Sequence, residues 1–225
     1  QPGLDISLDR GQGERLKAGS NSVNDFAGFL TAEITPGNKI SIRPGIRIIR
    51  NSVYDAPPVV PSVNTKFVLS KNIDLRLSYA RGFRSPSLRE LYFSFFDANH
   101  QVVGNPDLKA ETSNSFTGAL AWNRKSENGT SWTGQLGGFY NDVKNLIDYV
   151  FTQGSDTAKL YNVLNSTTAG INLSATVSFG SWNISAGAAG TGFNNDLYST
   201  DEKLPRQLWS LEANSNISYR FKKAG

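Results

Sequence analysis

Cysteine is absent, which excludes a disulfide scaffold, thiolate metal sites and a cysteine nucleophile. A single histidine, His100, is too few for a histidine-based metal cluster and argues against a Ser-His-Asp triad. No run approaches ~18 apolar residues, so no membrane-spanning helix is expected. Charge is sparse: 19% of the 225 residues are Asp, Glu, Lys or Arg, against about 25% in average soluble proteins. The net charge of +4 includes no basic block, so no nucleic-acid surface is expected. Gln1 to Leu8 has neither the basic nor the apolar stretch of a targeting segment, which points to a processed chain or an internal piece. No catalytic constellation and no cofactor motif emerges. Gly187 to Gly192, for example, lacks the Lys and the helix of a phosphate loop.

Apolar residues are also few, at 38%, and small polar residues with 21 Gly fill the gap. That profile argues against a helical bundle, and 11% aromatics argues against disorder.

What is present is alternation with period two, the mark of strands with two unlike faces. About nine such stretches are expected. Their apolar faces run Phe26–Ile34, Ile40–Ile48, Val63–Leu69, Ile73–Tyr79, Phe116–Trp122, Trp132–Tyr140, Ile171–Phe179, Trp182–Gly190 and Trp209–Tyr219, taking every second residue. The opposite faces hold Asp25, Glu33, Arg43, Arg47, Lys66, Asp74, Arg76 and Glu212, with rows such as Asn172, Ser174, Thr176 and Ser178. A soluble β-sandwich with one wet face per sheet, binding glycans through exposed aromatics, accounts for alternation alone.

The connections favour a membrane barrel. Pro36-Gly37-Asn38, Lys71-Asn72, Lys125 to Thr130 and Gly180-Ser181 are short. Asn51 to Val60, Gly82 to Glu111, Phe151 to Ala158 and Phe193 to Leu204 are longer, and the two kinds alternate. Tight turns at one end and long loops at the other are the asymmetry of a transmembrane β-barrel. Trp122, Trp132, Phe179, Trp182 and Tyr219 all fall beside the short turns on the apolar face, where an interfacial aromatic girdle would lie.

The most specific stretch reads Tyr79-Ala-Arg-Gly-Phe-Arg-Ser-Pro-Ser-Leu-Arg-Glu-Leu-Tyr92, then Gly104-Asn-Pro-Asp-Leu-Lys-Ala-Glu111. It resembles the TonB-dependent outer-membrane receptors, in which Gly82, Phe83, Arg84, Pro86, Leu91, Tyr92, Gly104, Asn105, Pro106, Leu108 and Glu111 fall on the family pattern. The resemblance extends over about residues 60–220. It implies an all-β, antiparallel up-and-down meander, part of a transmembrane barrel of about 22 strands. The whole chain, 1–225, would be partial barrel, and 82–111 a long extracellular loop. The implied place is the bacterial outer membrane, with lipid as one partner and a scarce imported ligand such as a ferric siderophore or cobalamin as another. TonB would act only through a plug, which is not seen in this sequence; an enzyme is not implied. A passive porin or structural barrel is the alternative within the membrane class.

The residues themselves suggest a shaped loop. Gly82 and Pro86 end a strand, Ser85-Pro86-Ser87 can cap a helical turn carrying Leu88, Leu91 and Tyr92, and Gly104-Asn105-Pro106-Asp107 signals a turn. Asp107 or Glu111 is the expected anchor for the chain's return. Candidate ligand contacts are the lumen-facing cations Arg43, Arg47, Lys66 and Arg76, which a low-dielectric wall would focus on an anion. Arg84 and His100 of the loop complete that set. The terminal strands, near 23–35 and 205–220, are expected to present unpaired edges that other segments of a parent receptor cover.

Overall fold

The structure, a computed structural model, describes residues 1–16, 19–54, 56–96, 101–151, 157–162, 165–195 and 207–221. Ten strands form one antiparallel meander. In sheet order they are β1 (Pro2–Gln12), β2 (Ser20–Thr31), β3 (Ile40–Asn51), β4 (Val60–Ser70), β5 (Ile73–Arg84), β8 (Glu111–Lys125), β9 (Ser131–Lys144), β12 (Asn165–Phe179), β13 (Trp182–Asn195) and β14 (Gln207–Tyr219). A second sheet has four short strands in the order β10 (Ile147–Phe151), β11 (Thr157–Asn162), β7 (Gln101–Val103) and β6 (Ser94–Phe96). One helical turn, α1 (Leu88–Tyr92), lies between β5 and β6.

All nine expected strands are present, and the sheet adds a tenth. Leu4, Ile6 and Leu8 alternate with Asp5, Ser7 and Asp9 on β1, which pairs residue for residue with β2 from Pro2↔Leu30 to Gln12↔Ser20. The expected edge near 23–35 is therefore corrected: β2 is paired on both sides, and β1 is the edge. β14 is the opposite edge, as expected.

Each strand pairs antiparallel with the next, so successive connections fall at opposite ends. Lys71-Asn72 and Gly180-Ser181 lie at one end, and the described parts of the 85–110 and 145–164 connections at the other. Gly37, Gly129 and Gly180 hold φ of 84°, 84° and 55° in the short turns, a region glycine enters without steric cost.

The register aligns the faces. Leu75, Leu120, Leu136 and Leu173 pair in one row that continues to Ala188 and Ala213. Leu77, Gly118, Gly138, Ile171, Gly190 and Leu211 form the next row on the same side. Arg76, Ala119, Gly137, Asn172, Ala189 and Glu212 share a row of the other parity, hence the other face. The apolar side is open: Leu4, Ile48, Ile171, Leu173 and Leu211 are all about half exposed or more. A water-soluble sandwich would cover such a face, whereas lipid is the solvent a barrel wall presents it to.

Aromatics bound this face at both ends. Trp182 and Tyr219 pair at the short-turn end with ring centroids 4.7 Å apart. Tyr79, Phe116 and Tyr140 pair in a row nearer the loops, with centroids 4.9 and 6.5 Å apart, and Trp209 marks the same end of β14. On β14, Trp209 and Tyr219 are ten residues apart, about 33 Å along the strand. At a tilt of ~40° that is about 25 Å of height, the span of a barrel's apolar band. Several rings lie across glycines of the neighbouring strand. Trp122 occupies the space a side chain at Gly134 would need, and Trp209 does the same at Gly192.

Candidate functional site

Two regions carry the candidate residues: the polar face of the meander and the cap at its long-loop end. The polar face contains a trough of about 730 Å³ whose lining includes Ser41, Arg43, Asn64, Lys66, Arg76 and Asn172. Lys66 and Arg76 are cross-strand partners in its wall. The structure gives most of these cations a carboxylate. Arg43 pairs with Glu33 at 3.0 Å, Arg47 with Asp5 at 2.6 Å and Lys66 with Asp74 at 3.2 Å. Arg76 has no ion pair among the described residues. The wall is thus a mixed polar surface of largely compensated charge rather than a uniformly positive one. Asp5 lies on β1, the strand beyond the nine expected from sequence. His100 lies outside the described residues.

The motif residues converge in the cap. β5 ends at Arg84, and Pro86 is fully buried. Ser87 then opens α1 with a capping box: the Glu90 N–H donates to Ser87 Oγ at 3.2 Å, and the Ser87 N–H donates to Glu90 Oε2 at 2.7 Å. Arg84 joins this turn to the start of β8. Its Nε–H donates to Glu111 Oε2 at 2.7 Å, Nη2 donates to Glu111 Oε1, and Nη1 donates to Glu90 Oε2 at 3.0 Å. Glu111 is buried, and Oε1 also accepts the Ile147 N–H at 2.8 Å. One carboxylate therefore ties β5, β8 and β10 together. Phe83 packs on Tyr54 at 6.0 Å, and the Tyr54 hydroxyl donates to Asp25 at 3.2 Å. Burial pushes the Tyr54 hydroxyl up to about 12.

Gly104-Asn105-Pro106 is the second half of the knot. The Gly104 N–H donates to Phe93 O at 2.7 Å, and the Asn105 N–H to Glu90 O at 2.9 Å. Asn105 Nδ2 reaches Leu160 O at 3.0 Å, so the turn also holds β11. Pro106 is exposed on the turn. Leu91, Leu108, Ile147, Leu160 and Val23 form the cap's apolar core, with Tyr54, Leu88 and Tyr92 against it. Gly82 pairs with Ser113, whose Oγ takes the place a Cβ would need. Of the two expected anchors, Glu111 makes the ionic knot, while the backbone N–H of Asp107 donates to Asn105 Oδ1.

Asn162, in the stretch Tyr161-Asn162-Val163 that resembles the same family, has a role that the motif alone does not assign. Its amide accepts from the Lys109 N–H at 2.7 Å and donates to Lys109 O at 2.9 Å and Asn145 O at 2.7 Å. The partner of an Asn carries no spacing signature, so these contacts with Lys109 and Asn145 are not legible in the sequence.

Two outcomes follow from this geometry. A Cβ at Gly104 would sit 2.9 Å from Glu90 O and 3.0 Å from the Leu91 carbonyl, both backbone atoms. Gly104→Ala should therefore loosen the cap by about 1–3 kcal/mol, read as faster amide exchange at Gly104 and Asn105 with the barrel strands unchanged. The second concerns acid. Burial alone would raise the Glu90 carboxyl, but hydrogen bonds from Arg84 and from Ser87 outweigh it and hold the group below its ordinary value. A lowered folded-state pKa stabilises the cap above the unfolded value and stops doing so as pH falls through the folded one. After correction for intrinsic exchange, protection of Leu91 and Asn105 should fall as pH drops from about 5 to about 3; constant protection would contradict it.

The chain belongs to the TonB dependent receptor-like β-barrel family, whose pattern covers residues 5–223. Over 76 residues, 34% of the chain, it is 38% identical to the hemoglobin and hemoglobin-haptoglobin-binding protein C of Haemophilus influenzae, 7% of whose length is matched. The siderophore receptor PirA from Pseudomonas aeruginosa is similar in structure, with a TM-score of 0.71 and 18% identity over 99% of the chain and 45% of the receptor. The Serratia marcescens hemophore receptor HasR, solved with hemophore HasA and heme, has a TM-score of 0.71 at 11% identity over 96% of the chain and 45% of the receptor. The chain thus spans under half the length of these receptors. At such identities the solved structures establish the fold alone.

Proposed function

We propose that this chain supplies wall, lumen and surface loops to an outer-membrane receptor that imports a scarce iron-bearing ligand, a ferric chelate or heme. The observation that carries the reading is the meander itself: an open apolar face bounded by two aromatic belts, backed by a polar trough, within a family match that covers nearly the whole chain. The names of the similar proteins, siderophore receptors and hemoglobin-binding proteins, support the ligand class. In this reading the 85–110 and 145–164 connections face the exterior. The trough faces a plug, and TonB, drawing on the inner-membrane proton gradient, acts on that plug to open a path. Arg84, Glu90 and Glu111 hold the cap in shape, while Arg76 remains the best-placed lumen cation for an anionic ligand.

The test is uptake of radioactive iron by iron-starved cells whose sole outer-membrane iron receptor is the complete protein containing this chain. Ferric chelates and heme are supplied separately, with and without TonB. Uptake of at least one iron source that disappears without TonB is expected. Uptake unchanged by loss of TonB would replace active import with a passive barrel.

A further inference from the structure

The register divides the inward face of the wall into two arcs of different chemistry. On β1 to β5 every strand carries charge there, with Asp5, Asp25, Arg47, Lys66 and Arg76 in turn. From β8 onward the series changes. On β12 it reads Thr168, Gly170, Asn172, Ser174, Thr176 and Ser178. The inward positions of β8, β9, β13 and β14 are likewise mostly Ser, Thr, Asn, Gly and Ala. Apart from Glu111 and Lys125 at the two tips of β8, Glu212 is the one charged side chain of these five series among the described residues.

Side-chain reach changes with the charge. Asn172 Oδ1 takes the place a Cβ at Gly137 would need, and Asn214 Oδ1 does the same at Gly187. Both amides therefore lie across glycines of the neighbouring strand instead of projecting into the lumen. At a strand spacing of about 4.8 Å the uncharged arc is about 19 Å across. The trough crosses its border. Lys66 and Arg76 line one side, Gly137 and Asn172 the other, and Arg76 pairs with Ala119, also in the lining.

The two surfaces act differently on a solute. Cations in a low-dielectric wall hold an anion, and the pairs Arg47–Asp5 and Lys66–Asp74 fix the side chains that make them. Hydroxyls and amides exchange hydrogen bonds with water or ligand at little net gain. Movement along a wall requires binding weak enough to release the solute at each step.

We propose that the arc of β8, β9, β12, β13 and β14 is the wall along which the imported ligand passes, while the arc of β1 to β5 stays covered by the plug. The assignment rests on the import reading above and adds to it the side of the lumen that conducts.

The chain has no cysteine, so one introduced thiol is unique within it. Ser174→Cys and Thr168→Cys mark the uncharged arc, at an exposed and a half-buried position. Ser7→Cys and Ser62→Cys mark the charged arc at the same two degrees of exposure. Each change is made in the complete receptor in iron-starved cells, with and without TonB. The cells receive radioactive iron as the ferric chelate or heme that wild-type receptor takes up, together with a bulky, membrane-impermeant maleimide. TonB should accelerate labelling about tenfold at the first pair and leave it unchanged at the second. Two positions on each arc preserve the comparison where one variant fails to assemble. The adduct at Ser174→Cys should lower iron uptake about tenfold against the unlabelled variant. Equal acceleration on both arcs, acceleration on the charged arc only, or none on either while wild-type receptor imports would overturn the conducting arc alone. So would undiminished uptake after complete labelling at Ser174→Cys and Thr168→Cys. Absence of TonB-dependent uptake by wild-type receptor would overturn both the arc and the import reading.

Discussion

Replacing Leu173 with arginine should block insertion of the complete receptor, whereas arginine at Thr176, three residues on along the same strand, should be tolerated. Leu173 belongs to the outward series of β12 and lies midway between Ala169, opposite Tyr140, and Val177, opposite Trp132; it pairs with Leu136 on one side and Ala188 on the other. Its side chain is 48% exposed, with no protein layer over it. In a bilayer that exposure is to hydrocarbon, and a cation near the midplane of a barrel wall costs about 2–4 kcal/mol. Thr176 has the other parity, pairs with Thr133 and Ser185, and shares the lumen face, where water solvates the charge. Folding titrations into phosphatidylcholine vesicles, read by heat-modifiable migration on gels, measure the difference. Indistinguishable titrations for the two variants would reverse or abolish the assignment of faces.

The second large effect is expected at Glu111. Alanine there removes the acceptor of the Ile147 N–H and one of the two carboxylates on Arg84. A buried donor left unpaired costs about 1–3 kcal/mol. Arg84 adds less, because its side chain is nearly half exposed and keeps Glu90. Exchange of the Ile147 amide and its neighbours in β10 should accelerate about 10- to 100-fold, while the amides of β12 and β13 stay protected. Glu111→Gln retains an acceptor for Ile147 and should lie between wild type and alanine. If alanine leaves Ile147 protected, or glutamine is as disruptive as alanine, the carboxylate does not hold the cap.

The wall was legible because a strand between lipid and water must alternate along its whole length. Nine strands of 11 to 15 residues each carry that pattern. β1 repeats it through Leu4, Ile6 and Leu8, but its charged partners and its place at the start of the chain obscured it. The cap was legible only in part. Ser85-Pro86-Ser87 predicts the helical turn that α1 forms, and the Ser87-x-x-Glu90 spacing of a capping box was there to be read. The four-stranded outer sheet was not, since β6 and β7 have three residues each, too few for a period to register. Charge compensation in the lumen depends on cross-strand register, which brings Arg47 to an aspartate 42 residues away. A list of cations from one strand at a time therefore overstates the field.

The outer sheet has a practical consequence for exchanging surface loops between receptors. Its central pairing is parallel, Thr157–Lys159 of β11 beside Gln101–Val103 of β7, and so joins two connections that leave the wall at different strands. A graft of residues 85–110 alone would carry β7 into a host without its neighbour β11, and a graft of 145–164 alone would strand β11 in the same way. The transplantable unit on this surface is the pair of connections, and chimaeras should be cut in the short turns on either side of both.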